Sequence, residues 1–243
     1  MAFFRRHQHR SRLLSVAAAI SHDTVAWTSA PIAEVRFAGE RLCYVTIDIA
    51  NSPGLVANFV RAGQYIQIRI PDELVNPPPS PALFYIASPP SLVAKNLEFE
   101  FLGRGLDIDQ LSPPEDYPTV LLFATGYGIS PIRSLIETGF SANKRSDVRL
   151  YYGAENLRTM PYQDRFKNWE SSGVKVIPVL SRPDANWPGE TGYIQDVYAE
   201  DNPIADPRAT GAVLCGNPNM IEATRALLVA QGVSPEKILV TRD

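Results

Sequence analysis

The sequence predicts a β domain followed by an α/β domain: a small antiparallel barrel, then a parallel sheet wrapped by helices. Three observations predict it. Between residues 31 and 102, five short β-rich runs are separated by turn residues. After residue 119 the pattern changes to strand alternating with helix. Within that second half a strand, a glycine turn and a proline-headed helix occur in succession twice, around Gly126 and around Gly216.

In the first half, residues 32–37 and 41–49 flank Gly39 in a hairpin pattern. Residues 65–70 alternate cleanly after Gly63, and runs at 83–88 and 97–102 follow, with a proline cluster at 76–81 between the third and fourth strands. Ser112-Pro-Pro-Glu-Asp-Tyr-Pro118 has the composition of a linker. The expected units are therefore 1–22 (a terminal arm), 23–111 (barrel), 112–118 (linker) and 119–243 (α/β domain).

The second half is built around Thr119-Val-Leu-Leu-Phe-Ala-Thr-Gly-Tyr-Gly-Ile-Ser-Pro131. Residues 120–124 are continuously apolar, as in a strand buried on both faces. Gly126 and Gly128 can take positive φ and leave no Cβ between backbone and ligand. Ser130 is a good N-cap and Pro131 a good first helical residue. Ile132, Leu135 and Ile136 form a buried stripe, and Gly139 can end the helix. Strands follow at 147–153 and 174–180, where Pro178 argues for a strand end or a bulge. Helices are expected at 162–170, with Phe166 and Trp169 on one face, and from 195 to 198. The strand at 211–215 runs into Gly216-Asn-Pro-Asn-Met220. Its helix carries Ile221, Thr224, Leu227 and Leu228 on one face, Gly232 follows, and 237–241 closes the sheet. Two helix N-termini at one sheet edge make a ready anion site. Taken singly, each unit is equally an ordinary tight strand-to-helix connection.

Composition narrows the chemistry. The 243 residues carry a net charge of −3, but residues 1–22 hold four arginines and no acid. The remainder has 19 basic and 26 acidic residues, a net of −7, which disfavours a nucleic-acid partner. Two cysteines, Cys43 and Cys215, are too few for a metal cluster or a disulfide framework. The histidines, His7, His9 and His22, all lie in the arm, so the folded part has no imidazole for general-base work or a zinc site. Any catalysis is then expected to rest on a bound cofactor. The arm, rich in Arg and Ser with a short apolar run at 13–20, reads as a chloroplast or mitochondrial transit segment. That run is too short for a membrane span. The alternative is a basic tail that carries no address.

A barrel followed by such a glycine-turn domain resembles the ferredoxin–NADP reductase superfamily, with its FAD barrel and parallel-sheet nucleotide-binding domain. The resemblance is closest to the plant "fruit protein" branch, chloroplast oxidoreductases, and covers residues 31–243. The family's Gly-Gly-Thr-Gly-Ile-Ala-Pro turn is similar to Thr125-Gly-Tyr-Gly-Ile-Ser-Pro131, and its Cys-Gly-Pro-x-x-Met to Cys215-Gly-Asn-Pro-Asn-Met220. Tyr152-Gly-Ala-Glu155 followed by Tyr162-Gln-Asp-Arg-Phe166 resembles its Tyr-Gly-Ala-Arg segment. Ala82-Leu-Phe-Tyr-Ile-Ala-Ser88 resembles the flavin strand. The resemblance implies that Thr125, Gly126, Tyr127, Gly128, Ile129 and Ser130 hold a dinucleotide pyrophosphate. It places Cys215, Gly216, Asn217 and Met220 against the nicotinamide, with Phe84 stacked on a flavin. Tyr85, Ile86, Ala87 and Ser88 then line the flavin edge. Cys215 and Tyr85 are the candidates nearest the reacting rings. Ser181 and Arg182 resemble a pair that binds the 2′-phosphate of NADP, so NADPH is favoured slightly over NADH. For Cys215, Phe84 and Arg182 the alternatives are core packing, barrel packing and a surface arginine.

The departures from the family pattern are specific. The flavin-strand arginine is Ala82, the serine beside the flavin is Tyr85, and the turn threonine is Tyr127. Leu102 runs directly into Gly103-Arg-Gly-Leu-Asp107, where the family has a loop, a short helix capping the FAD pyrophosphate and a sixth strand. Arg104 is a candidate partial substitute. Two readings follow: an FAD-containing reductase acting from NAD(P)H to an unidentified acceptor, or a nucleotide-binding relative that has lost stable FAD binding. Residues 23–118 carry 6 basic and 12 acidic side chains, a poor dock for acidic ferredoxin.

Overall fold

The computed structural model describes residues 32–39, 42–47, 61–68, 82–87, 100–102, 105–201 and 204–241. The basic arm, the proline cluster at 76–81, Ser88 and Arg104 lie outside the described residues. In the first half, β1 (Ile32–Gly39) pairs with β2 (Leu42–Ile47) in an antiparallel hairpin. β3 (Tyr65–Ile68) runs antiparallel between β4 (Ala82–Tyr85) and β5 (Glu100–Leu102). Beyond β5 the chain returns beside the turn that precedes β3: the Leu106 N–H donates to the Ala62 carbonyl at 2.7 Å.

The second half is a six-stranded parallel sheet. Its strands are β6 (Thr119–Thr125), β7 (Asp147–Ala154), β8 (Lys175–Leu180), β9 (Glu190–Thr191), β10 (Thr210–Cys215) and β11 (Ile238–Val240). They lie in the order β11-β10-β6-β7-β8-β9. α1 (Ile129–Thr138) and α2 (Phe166–Ser171) pack through Ile132, Leu135 and Trp169 against one face. α3 (Ile194–Glu200) and α4 (Pro218–Ala230) pack through Ile194, Tyr198, Met220 and Leu228 against the other. Every residue of β10 is buried, as is β6 up to Ala124, which is why both read as unbroken apolar runs.

Several expected boundaries move. Ser130 is not the N-cap of α1. A single 3-10 turn, Gly126–Gly128, leads straight into the helix, so Gly128 takes the cap position and Ser130 is already helical. The cap-and-proline arrangement is realised in the second unit: the Asn217 side chain accepts from the N–H groups of Asn219 and Met220, and Pro218 opens α4. The helix expected at 162–170 begins later, because Tyr162 sits at φ +64° and a 3-10 turn precedes Phe166. Pro178 lies inside β8, in register with Tyr152. It is tolerated there because β9 covers the outer edge of β8 only at Val179 and Leu180. Among the described residues no helix is long and apolar enough to cross a membrane.

The halves share one core. Ala62 and Leu106 belong to the same buried cluster as Leu122, Ile132 and Trp169. Arg145, only 8% exposed, fastens the linker by donating to the carbonyls of Tyr117 at 2.6 Å and Leu111 at 2.8 Å. Arg145→Ala strands those carbonyls, so urea unfolding should show a loss of about 2–4 kcal/mol, with Arg145→Lys recovering only part of it.

Candidate functional site

β6 and β10 lie side by side in parallel register, with Ala124 opposite Cys215. The strand order reverses between them: β7 and β8 lie on one side and β11 on the other. Ligands of open α/β sheets bind at such a switch point, beyond the carboxyl ends of the strands. The turn after β6 and the turn after β10 meet there.

The two turns interlock through glycine. A Cβ at Gly128 would collide with the Cys215 carbonyl and stand 2.6 Å from the Gly216 nitrogen. A Cβ at Gly216, which also sits at φ +131°, would collide with Thr125. The Asn217 N–H donates to Thr125 Oγ1 at 2.9 Å, closing the junction. Gly126 differs. It is exposed, at φ +54°, and a Cβ there meets nothing within 4 Å. The space above Gly126 is open to a ligand, and the N–H groups that open a helical turn have no acceptor within it. Those of Gly126, Tyr127 and Gly128 are therefore what this edge offers an anion.

Not every expected residue reaches that space. Cys215 is fully buried, and burial pushes its thiol up to about 12. Strand alternation turns its side chain, with that of Val213, into the core toward the α1 face. Ile129 is 1% exposed and its N–H is spent on the carbonyls of Gly126 and Tyr127. Met220 is buried as well. Thr125, Gly126, Tyr127, Gly216 and Asn217 line the junction, and Tyr127 stands 70% exposed. Farther along the edge, Ser181 and Arg182 follow β8, and Arg182 Nη1 meets Glu155 Oε1 at 2.9 Å. Phe84 and Tyr85 lie on β4, in register with Ile66 and Tyr65. The Ile86 N–H donates to the Gln64 carbonyl, and Ala87 packs against the buried cluster that the two halves share.

Residues 122–226 match the oxidoreductase NAD-binding domain family. The whole chain aligns with fruit protein pKIWI502 of Actinidia deliciosa, 60% identical and covering 89% of it. A ferredoxin NADP+ reductase of Neisseria gonorrhoeae with bound FAD and NADP superposes with a TM-score of 0.65 at 19% identity, over 87% of this chain and 96% of that one. The Amycolatopsis cytochrome P450 reductase GcoB gives 0.67 at 20% identity, over 88% and 68%. The chain belongs to the ferredoxin–NADP reductase superfamily. Its members among the relatives are flavin- and nicotinamide-dependent electron-transfer reductases. A match to the CDP-6-deoxy-L-threo-D-glycero-4-hexulose-3-dehydrase reductase of Yersinia pestis is 28% identical and spans 51% of this chain and 37% of that protein.

Within this reductase frame, sequence reasoning missed two features of the site. Tyr193, 65% exposed, stands at the N-cap of α3, on the same edge as Arg182. A large aromatic held in water directly after Gly192 and before a helix was the signal available for it. Glu155 was read only as part of a motif, and its pairing with Arg182 depends on two strands ending side by side. Two glycine substitutions separate structure from binding. Gly128→Ala is expected to lower the melting temperature by several degrees, because the opposing backbone must move. Gly126→Ala, strained by about 1–2 kcal/mol, should fold yet bind dinucleotide weakly in a fluorescence titration. Native Cys215 should resist iodoacetamide at pH 8, since thiolate forms only as pH approaches the raised value, and react fully once unfolded; peptide mass spectrometry reads both states.

Proposed function

We propose that this protein is a flavin-dependent oxidoreductase that takes a hydride from NADH or NADPH and passes the electrons to a separate acceptor. The observation that carries this reading is the interlocked pair of turns at the switch point, with open space above Gly126. The N–H groups of Gly126, Tyr127 and Gly128 would hold the pyrophosphate, aided by the N-terminal dipole of α1. Gly216 leaves room for the nicotinamide above the strand end. Tyr193 offers its ring face to the adenine, and Ser181, Arg182 and Glu155 border the adenosine ribose. Orientation of this kind is the protein's share of hydride transfer.

The first half fits a flavin in part. Ala87, just past β4, packs against the buried cluster that the two halves share, which supports a ring on this strand meeting the nicotinamide. Phe84 would stack on that ring, and the backbone of Tyr85 and Ala87 would face its edge. Ala82, on the same strand, supplies no charge for the FAD pyrophosphate. When bound, FAD supplies a ring that accepts two electrons together and releases them singly or in pairs. The Neisseria gonorrhoeae relative holds both FAD and NADP, which supports the pairing of cofactors.

A specific observation favours a second reading, in which nucleotide binding is kept but FAD is held weakly. The alignment with the Actinidia deliciosa protein runs over 281 positions while this chain has 243 residues, so at least 38 positions of the relative lack a counterpart here. The sequence points to the stretch after Leu102 as one such gap. The acceptor is proposed not to be ferredoxin, given the acidic first half, and residues 1–22 are proposed to direct the chain to the chloroplast.

The purified full chain should be yellow, absorbing near ~450 nm, and should reduce a dye with NADH or NADPH. Protein that remains colourless after incubation with FAD, while still binding dinucleotide, selects the second reading. Binding of neither dinucleotide defeats both.

A further inference from the structure

Glu155 carries a determinant that the general dinucleotide site does not explain. β7 and β8 end opposite each other, Ala154 beside Leu180, and the pairing runs on past both strands. The Ser181 N–H donates to the Ala154 carbonyl at 3.0 Å, and the Arg182 N–H to the Glu155 carbonyl at 2.8 Å. That backbone geometry holds the Glu155 carboxylate against the Arg182 guanidinium, 2.9 Å apart. The pair lies at the surface, with side chains 47% and 80% exposed, so it adds little stability. Its importance is electrostatic. Arg182 carries the charge that answers Glu155. An incoming 2′-phosphate would add about two negative charges beside the Glu155 carboxylate and an arginine that is already matched. Taking Arg182 for itself, the phosphate would leave Glu155 unpaired at close range. A ribose 2′-hydroxyl has no such conflict. It can donate to a Glu155 oxygen while Arg182 stays in place, as acidic residues do for NAD in other dinucleotide folds.

We propose that Glu155 sets the cofactor preference of this site toward NADH over NADPH. The inference rests on the dinucleotide site proposed above. It reverses the slight preference for NADPH that Ser181-Arg182 alone suggests, because the neighbouring carboxylate occupies the arginine.

The test is a titration of the full chain with NADH and, separately, NADPH, read by quenching of protein fluorescence, so that no bound flavin is required. The unmodified protein should bind NADH at least about fivefold more tightly. Glu155→Gln should tighten NADPH about tenfold or more, while NADH changes by less than about threefold. Adding Arg182→Ala to Glu155→Gln should remove that gain, and raising the salt should shrink the difference between cofactors in the unmodified protein. Tighter binding of NADPH by the unmodified protein, or an equal response of both cofactors to Glu155→Gln, overturns the assignment and leaves the dinucleotide site standing. Binding of neither cofactor overturns the site itself.

Discussion

The structure depends on two backbone turns that cannot part. β6 and β10 are neighbours whose following loops occupy space that any side chain at Gly128 or Gly216 would fill. The contact is carried by backbone atoms, with the Asn217 N–H donating to Thr125 Oγ1 across it. A junction of this kind tolerates little adjustment, because neither partner has a flexible end to rotate away. It therefore fixes where α1 and α4 begin, on opposite faces of the sheet, and brings both helix starts to one edge. Anion affinity at that edge follows from placement, with no cationic side chain required.

The same rigidity reaches the first half through a shared core. Leu106 packs beside Gly63 and belongs, with Ala62, to the cluster that also holds Leu122 and Ile132. Arg145 then fastens the linker from below through the carbonyls of Leu111 and Tyr117. A buried guanidinium is costly to desolvate, and it is retained here because it satisfies backbone acceptors that the linker cannot pair within itself. The strand carrying Phe84 and Tyr85 is thus tied to the nucleotide edge through packed side chains. Hydride transfer between two cofactors needs their separation held to within fractions of an ångström, and a common core is one way to hold it.

Much of this was legible in the sequence, and the exceptions have physical causes. The unbroken apolar runs of β6 and β10 marked central strands, and the paired glycine turns marked the edge. Ser130 misled because a cap residue is recognised by chemistry, whereas the helix start was decided by a 3-10 turn beginning at Gly126. For Cys215 the motif gives position along the chain, while strand alternation decides which face the side chain takes. Val213 and Cys215 share one face and Leu214 the other, a pattern open to inspection once the strand was placed. β9, two residues long, carries no periodicity to detect. The Glu155–Arg182 pair joins residues 27 apart in sequence, and only the register of β7 with β8 brings them together.

The departures from the family pattern fall unevenly, and their distribution has a physical logic. Every element of the nucleotide edge belongs to the parallel sheet, which is complete from β6 to β11. The departures from the family's flavin pattern lie before Thr119, at Ala82 and in the sequence after Leu102. β5 runs antiparallel to β3, with Leu102 opposite Tyr65, and the Leu106 N–H donates to the Ala62 carbonyl. The interlocked turns and the Arg145 clamp are built from residues outside this stretch. The proposed function therefore divides between two parts of the chain, with dinucleotide recognition on the open parallel sheet and flavin retention on the first half.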